Sequence, residues 1–253
     1  MVYITGDCHA NYGRFSINNF PDQQKMTRED FVIVCGDFGI WHNTAEERWD
    51  LDWLSQKSFT LLFVDGNHEN FDRLYGDEFP VVDFHGGKAH KIRENIFHLM
   101  RGYVYELCGK KFFAFGGASS HDIQDGILNP DDYKTEESFK TAYSIWKREG
   151  KIFRVNHLSW WKEELPSEDE MKFGLETLSK NGNEVDYIIT HCCPQSVASY
   201  LSGGMYKPDL LTQFLERIKD KVSFKQWYFG HYHLESQCFM NYICLYHKIE
   251  RVL

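Results

Sequence analysis

Seven polar residues spread over the whole chain have the types that hold metal ions: Asp7, His9, Asp37, Asn67, His191, His231 and His233. Together they offer carboxylate, amide oxygen and imidazole. That set suits Mn, Fe or Zn better than Ca or Mg, which prefer oxygen alone. Seven ligands exceed what one tetrahedral ion uses and match two ions sharing one bridge. Two divalent ions about 3.5–4 Å apart can clamp the attacking and leaving oxygens of an in-line displacement and supply a hydroxide near neutral pH. No protein nucleophile is then required, and none is evident.

The elements that must position these residues are short apolar runs. Val2–Thr5 leads into Gly6-Asp7-Cys8-His9, and residues 31–35 lead into Gly36-Asp37. Residues 61–65 lead into Gly66-Asn67-His68-Glu69, residues 187–190 into His191, and residues 227–229 into Gly230-His231-Tyr232-His233. Runs this short and apolar on both faces read as buried strands. One Gly-Asp after a strand marks a turn or a helix cap. Five strands that each end in Asp, Asn or His mark the edge of an α/β sheet where sites are built.

These blocks resemble the calcineurin-like metallophosphoesterases, whose pattern is Asp-x-His, Gly-Asp, Gly-Asn-His-Asp/Glu, a single His, then Gly-His-x-His. All five stand here in that order. The resemblance implies a four-layer α/β/β/α sandwich of two mixed sheets with a dinuclear site on their shared edge. It implies that Asp7, His9, Asp37 and His233 hold one metal, and that Asp37, Asn67, His191 and His231 hold the other, with Asp37 as the bridge. It also implies that His68 is the non-ligand catalytic histidine, which protonates the leaving alkoxide or holds phosphoryl oxygens. The metals expected are two ions of Mn, Fe or Zn. Two departures stand out. Many relatives read Gly-Asp-x-x-Asp, but here Gly36-Asp37-Phe38-Gly39-Ile40 lacks the second Asp, so another group must orient His68. Ala10 stands where a Gly often follows the His, while Asn11 is kept. Asn11, Arg73 and His121 are the candidates for phosphate or substrate contacts.

The rest of the chain bounds the reading. At 253 residues with 42% hydrophobic content, the chain is long and apolar enough for one large α/β domain, here expected over 1–253. The formal charge of −9 disfavours a broad grip on nucleic acid or anionic lipid. No apolar run approaches the ~20 residues of a membrane span, and no signal-peptide pattern opens the chain. The seven cysteines include no CxxC pair, which fits a reduced cytoplasmic protein. Cys8, Cys192 and Cys193 flank candidate ligands but read better as small buried hydrophobes than as soft ligands.

Between the blocks, the pattern predicts an amphipathic helix over 45–57 with Trp49, Trp53 and Leu54 on its apolar stripe. A short helix follows over 70–75, and then an antiparallel stretch over 88–115 with a hairpin turn at Gly109-Lys110. Gly116 to Asp122 reads as a flexible polar loop. Residues 119–166 read as a lid-like insertion, with a helix over 131–147 and Trp146, Trp160 and Trp161. Ser167 with Glu170 fits a capping box opening a helix to Leu178, and Leu211, Phe214, Leu215 and Ile218 mark one face of a helix over 208–218. Residues 237–252 alternate well enough for two final strands.

The expected function is metal-dependent phosphoester hydrolysis, with phosphomonoesters on small molecules or peptides preferred over nucleic acid. The densest basic stretch, Lys88 to Arg101, is modest, whereas a groove that neutralised several phosphates needs clustered Lys and Arg. A phosphodiesterase or nuclease with the same site, and a non-catalytic metal-binding protein of the same fold, are the alternatives.

Overall fold

The computed structural model describes residues 1–253. In chain order the strands are β1 (Val2–Thr5), β2 (Phe31–Val34), β3 (Thr60–Phe63), β4 (Val81–Phe84), β5 (Gly87–Arg93), β6 (Ile96–Leu99), β7 (Tyr103–Leu107), β8 (Lys110–Phe115), β9 (Ile127–Leu128), β10 (Arg154–Val155), β11 (Tyr187–Thr190), β12 (Gln226–Phe229), β13 (Ser236–Cys238), β14 (Tyr242–Cys244) and β15 (Ile249–Arg251). The helices are α1 (Ala45–Ser55), α2 (Phe71–Leu74), α3 (Glu136–Arg148), α4 (Glu168–Lys180), α5 (Gln195–Ser202) and α6 (Leu210–Lys221). No helix is long and apolar enough to cross a membrane.

Two mixed sheets form. The first runs β15-β1-β2-β3-β6-β5-β4 and the second β13-β14-β12-β11-β8-β7, while β9 and β10 pair apart. Strand alternation divides the side chains into three cores. Ile4, Ile33 and Leu62 of the first sheet meet Phe112, Ile189 and Tyr228 of the second between the sheets. Val32, Val34 and Phe63 point outward, under Leu51 and Leu54 of α1. On the far side Phe113, Ile188 and Trp227 pack against Met171 of α4, Val197 of α5 and Phe214 of α6. Strands covered on both faces must be apolar at every position, which is why β2 and β3 are continuous hydrophobic runs. The result is the expected α/β/β/α sandwich.

Several local readings hold. The helix predicted over 45–57 forms as α1, and Ser167 with Glu170 closes a capping box on α4. The four residues predicted on one face of α6 are all buried. Other readings are corrected. Trp49 is 65% exposed, and the buried face of α1 is Glu47, Leu51 and Leu54. The β7–β8 turn is Cys108-Gly109, at φ 51° and 70°, because a two-residue turn matching the strand twist needs both central residues left-handed. The insertion helix begins only at Glu136, where Thr135 supplies the cap. Three strands rather than two follow residue 235, and they split: β13 and β14 join the second sheet, whereas β15 crosses to pair antiparallel with β1 in the first.

Candidate metal centre

Strands β1, β2 and β3 run parallel, as do β8, β11, β12 and β14. The residues just past their C-terminal ends meet at one edge of the sandwich. The seven candidate ligands come together there. His233 Nε2 lies 3.1 Å from Asp7 Oδ2 and 3.0 Å from His9 Nε2. His191 Nε2 lies 3.4 Å from Asp37 Oδ2 and 3.3 Å from Asn67 Oδ1. Asp37 Oδ2 is also 3.6 Å from His9 Nε2, so this one carboxylate faces both groups. The donor atoms of Asp7, His9 and His233 lie within 4.8 Å of one another, and so do those of Asp7, Asp37 and His191. His231 is less central: its ring packs 5.0 Å from that of His191, and its Nε2 sits 2.9 Å from His121 Nε2.

Bringing side chains from five loops to one point requires unusual backbone. Four of the candidates, His9, Asp37, His231 and His233, have positive φ, between 45° and 67°. Such strain in non-glycine residues persists only where the surroundings hold it, and it concentrates at functional sites. The glycines of the blocks make room for one another's ligands. A Cβ on Gly66 would lie 2.0 Å from Asp37 Oδ1, and one on Gly230 would lie 2.0 Å from Asp7 Oδ1. Backbone amides complete the fixing: His231 N–H donates to Asp7 Oδ1 at 2.9 Å and His68 N–H to Asp37 Oδ1 at 2.8 Å.

The electrostatics favour positive charge at this point. Burial by itself would raise the carboxyls of Asp7 and Asp37, yet their histidine neighbours, His191 foremost, hold both well below the carboxylate range. Burial likewise opposes charge on His191, but Asp37 and Asp7 outweigh it and push the imidazole up to about 10. Converging carboxylate, amide and imidazole lone pairs in such a field fit divalent cations. His191 Nδ1 lies 2.7 Å from the Cys35 carbonyl and donates to it, which turns Nε2 into the cluster as a ligating atom. The cysteines take no part: all seven are free, and burial raises the thiols of Cys8, Cys192 and Cys193.

His68 sits beside this cluster, with its ring 5.2 Å from that of His9. Its Nε2 lies 3.3 Å from Nη2 of Arg154, whose Nε donates to Asp122 at 2.6 Å. Burial pushes the His68 imidazole below its ordinary value, and the Arg154 charge adds to that while Asp37 opposes it. No carboxylate takes the place of the missing second Asp. Instead Glu69, fully buried, accepts N–H bonds from Phe38 at 2.6 Å, Gly39 at 3.2 Å and Ile40 at 2.8 Å, so the second block is bound to the third. Trp41 Nε1 donates to the His68 carbonyl at 2.7 Å.

A cleft of about 280 Å³ opens over the centre, lined by Asp37, Asn67, His68, His121, Arg154 and Tyr206 among others. Of the three residues read as substrate contacts, only His121 reaches it. Arg73 is held by Glu47 and Glu78, each at 2.6 Å, and acts as a structural clamp. Asn11 lines a separate cavity of about 640 Å³ beside Arg14 and His247. The insertion does border the cleft, but not through its tryptophans. Trp161 is buried with Nε1 donating to Asp72 at 2.7 Å, and Trp146 packs edge-on to Phe153. Residues 116–122 form a loop, as expected, and its first part is anchored: Ala118 and Ser120 are buried, and Gly117 N–H donates to the Asp65 carbonyl at 2.8 Å. Arg154, Ser120 and Glu164 had no signal in the sequence, since each meets the site from a stretch without a motif.

The sequence model of one family, described as calcineurin-like phosphoesterase, matches residues 1–235. No curated protein matches the chain.

Proposed function

The chain belongs to the calcineurin-like phosphoesterase family, and from that premise we propose that it is a dinuclear metallophosphatase preferring phosphomonoesters. The family binds divalent metals and hydrolyses phosphoesters. In this reading Asp7, His9, Asp37 and His233 hold one ion and Asp37, Asn67, His191 and His231 the other. When bound, the ions supply Lewis-acid polarisation of phosphoryl oxygens and a nucleophile at neutral pH. The protein's own part is orientation and proton movement. Water adds to phosphorus, the bond to the leaving oxygen breaks, and His68 gives that oxygen its proton.

The observation that favours a monoester is Arg154. Its side chain, only 15% exposed, brings a guanidinium into the small cleft that Asp37, Asn67, His231 and His233 also line, with Nη2 3.3 Å from His68 Nε2. Its Nε donates to Asp122 and its Nη1 to the Ser159 carbonyl at 2.9 Å, which leaves Nη2, beside His68, to donate to a terminal oxygen of one phosphoryl group. Arg154 is balanced by Asp122, and the cations of the densest basic stretch are balanced too. In the basic stretch, Lys88 bonds Asp83, Lys91 bonds Glu94, Arg93 bonds Asp52 and Arg101 bonds Asp65. Long nucleic acid would need such charges free along a groove. A reducing compartment, as in the cytoplasm, fits seven unpaired cysteines.

The test is a substrate panel at fixed Mn and salt, comparing p-nitrophenyl phosphate, phosphopeptides, nucleotides, cyclic nucleotides and single-stranded DNA, with and without chelator. Chelator-sensitive turnover that is fastest on monoesters is expected. Efficient, salt-sensitive cleavage of DNA beside feeble monoesterase activity would reverse the substrate choice. Full metal occupancy without turnover of anything would make the protein a binder.

A further inference from the structure

We propose that Ser120 and Glu164 are positioning residues that decide which end of the Asn67 amide faces the metal centre. The inference rests on the ligand role given above to Asn67. An amide presents an oxygen on one side and an NH₂ on the other, and only the oxygen can serve a cation. The two ends are nearly the same shape, so packing alone selects poorly between them. Hydrogen-bond direction does select. Asn67 Nδ2 lies 3.3 Å from Ser120 Oγ, while its Oδ1 faces His191 Nε2 at 3.3 Å.

Ser120 has one hydroxyl proton, and that proton is committed elsewhere. Ser120 Oγ donates to Glu164 Oε2 at 2.6 Å, and Ser120 N–H donates to Glu164 Oε1 at 2.9 Å. A carboxylate only accepts, so the hydroxyl can offer Asn67 nothing but a lone pair. A lone pair calls for the NH₂ end and turns the oxygen inward. Asn67, Ser120 and Glu164 are 4%, 4% and 2% exposed, so water is not at hand to satisfy a reversed amide. Glu164 is itself held: Arg101 Nη2 donates to the carbonyl of the preceding Glu163 at 2.8 Å, and Arg101 Nε donates at 2.9 Å to Asp65, two residues before Asn67. The chain from Asp65 to Asn67 is thereby enclosed by residues 101, 120, 163 and 164.

The discriminating variant is Glu164→Gln, which keeps the volume but adds an NH₂ that can donate to Ser120 Oγ. The hydroxyl is then released to donate to Asn67, which favours the wrong end. Ser120→Ala removes the relay outright. Mn binding by the full chain is measured by calorimetry at pH 8, above the value of about 7 to which burial raises the Glu164 carboxyl. Each variant is expected to weaken one of the two Mn sites by about 10–100-fold, the usual cost of losing a partner behind a ligand. Thermal melting of the metal-free proteins checks folding. The decisive arm is Asn67→Asp, whose two oxygens are equivalent and need no orienting. In that background Ser120→Ala should change Mn affinity by no more than about 2-fold, the double-mutant signature of coupling through the amide. Equal losses in both backgrounds, or native affinity in Ser120→Ala and Glu164→Gln, overturn the inference. Wild-type protein that binds no Mn at all would instead overturn the ligand reading beneath it.

Discussion

The two sheets contribute different chemistry to the shared edge. The first brings both carboxylates and the amide, Asp7, Asp37 and Asn67, with His9 as its only candidate imidazole ligand; the second brings His191, His231 and His233. Negative charge is therefore concentrated on one side, and the other side supplies imidazoles that face it. Burial divides the candidates within each sheet instead: Asp7, Asp37 and His191 are at most 2% exposed, whereas the His9 and His233 side chains are 26% and 48% exposed. Removing a buried carboxylate from the first sheet should thus cost more than removing an exposed imidazole from the second.

The largest effect is expected from Asp37→Asn. This carboxylate faces both donor groups, so its loss should weaken both metals beyond the roughly 10–100-fold cost of an outer partner, and turnover with them. His233→Asn should release one metal and leave the other. Elemental analysis after Mn reconstitution compares them directly; two tightly held metals in Asp37→Asn would remove Asp37 as the bridge.

Next comes His68→Asn, which tests a first-sheet residue that serves the reaction rather than the metals. Metal content should stay native while kcat falls by about 10²–10⁴. The loss should shrink for p-nitrophenyl phosphate, whose leaving group needs little protonation. Because His68 Nδ1 or Nε2 lies within 4.8 Å of the His9 and Asp37 donors, lost metal in this variant would turn His68 into a ligand.

The smallest effect on turnover, though a large one on stability, belongs to Asp65→Asn, at the seam between the sheets. Asp65 follows β3, and its carbonyl accepts from Gly117 after β8. Burial alone would raise the carboxyl, but Arg101 and His98 outweigh it and hold it well below the ordinary 3.8. A depressed folded-state value means the contribution is present above the ordinary value and is lost as pH falls through the acid range. Denaturant unfolding at pH 7 should show the variant about 3–5 kcal/mol less stable, since it removes the buried carboxylate nearest to Arg101 and leaves only Glu170, at 3.6 Å, to balance it. Its stability should also depend less on pH below about 5 than that of the wild type. Parallel acid limbs for the two proteins would rule out this linkage.

The sequence by itself determined the five strands that carry the candidate ligands, their covered faces and the residues at their ends. Each of these is local: an apolar run, then a glycine that lets the backbone close, then a donor, as in Phe31 to Asp37. The start of α4 was legible too, because its cap, Ser167 with Glu170, lies within one turn. What the tertiary structure decided are the meetings of distant segments. Arg154 reaches His68 across 86 residues, and Glu164 reaches Ser120 across 44. Arg73, which looked free to bind substrate, meets Glu47 across 26 residues. The final strand, read as one of a pair, lies beside β1 in the other sheet. No periodicity records such contacts, since hydrogen-bond partners chosen by folding leave no constraint on the residues next to them in the chain.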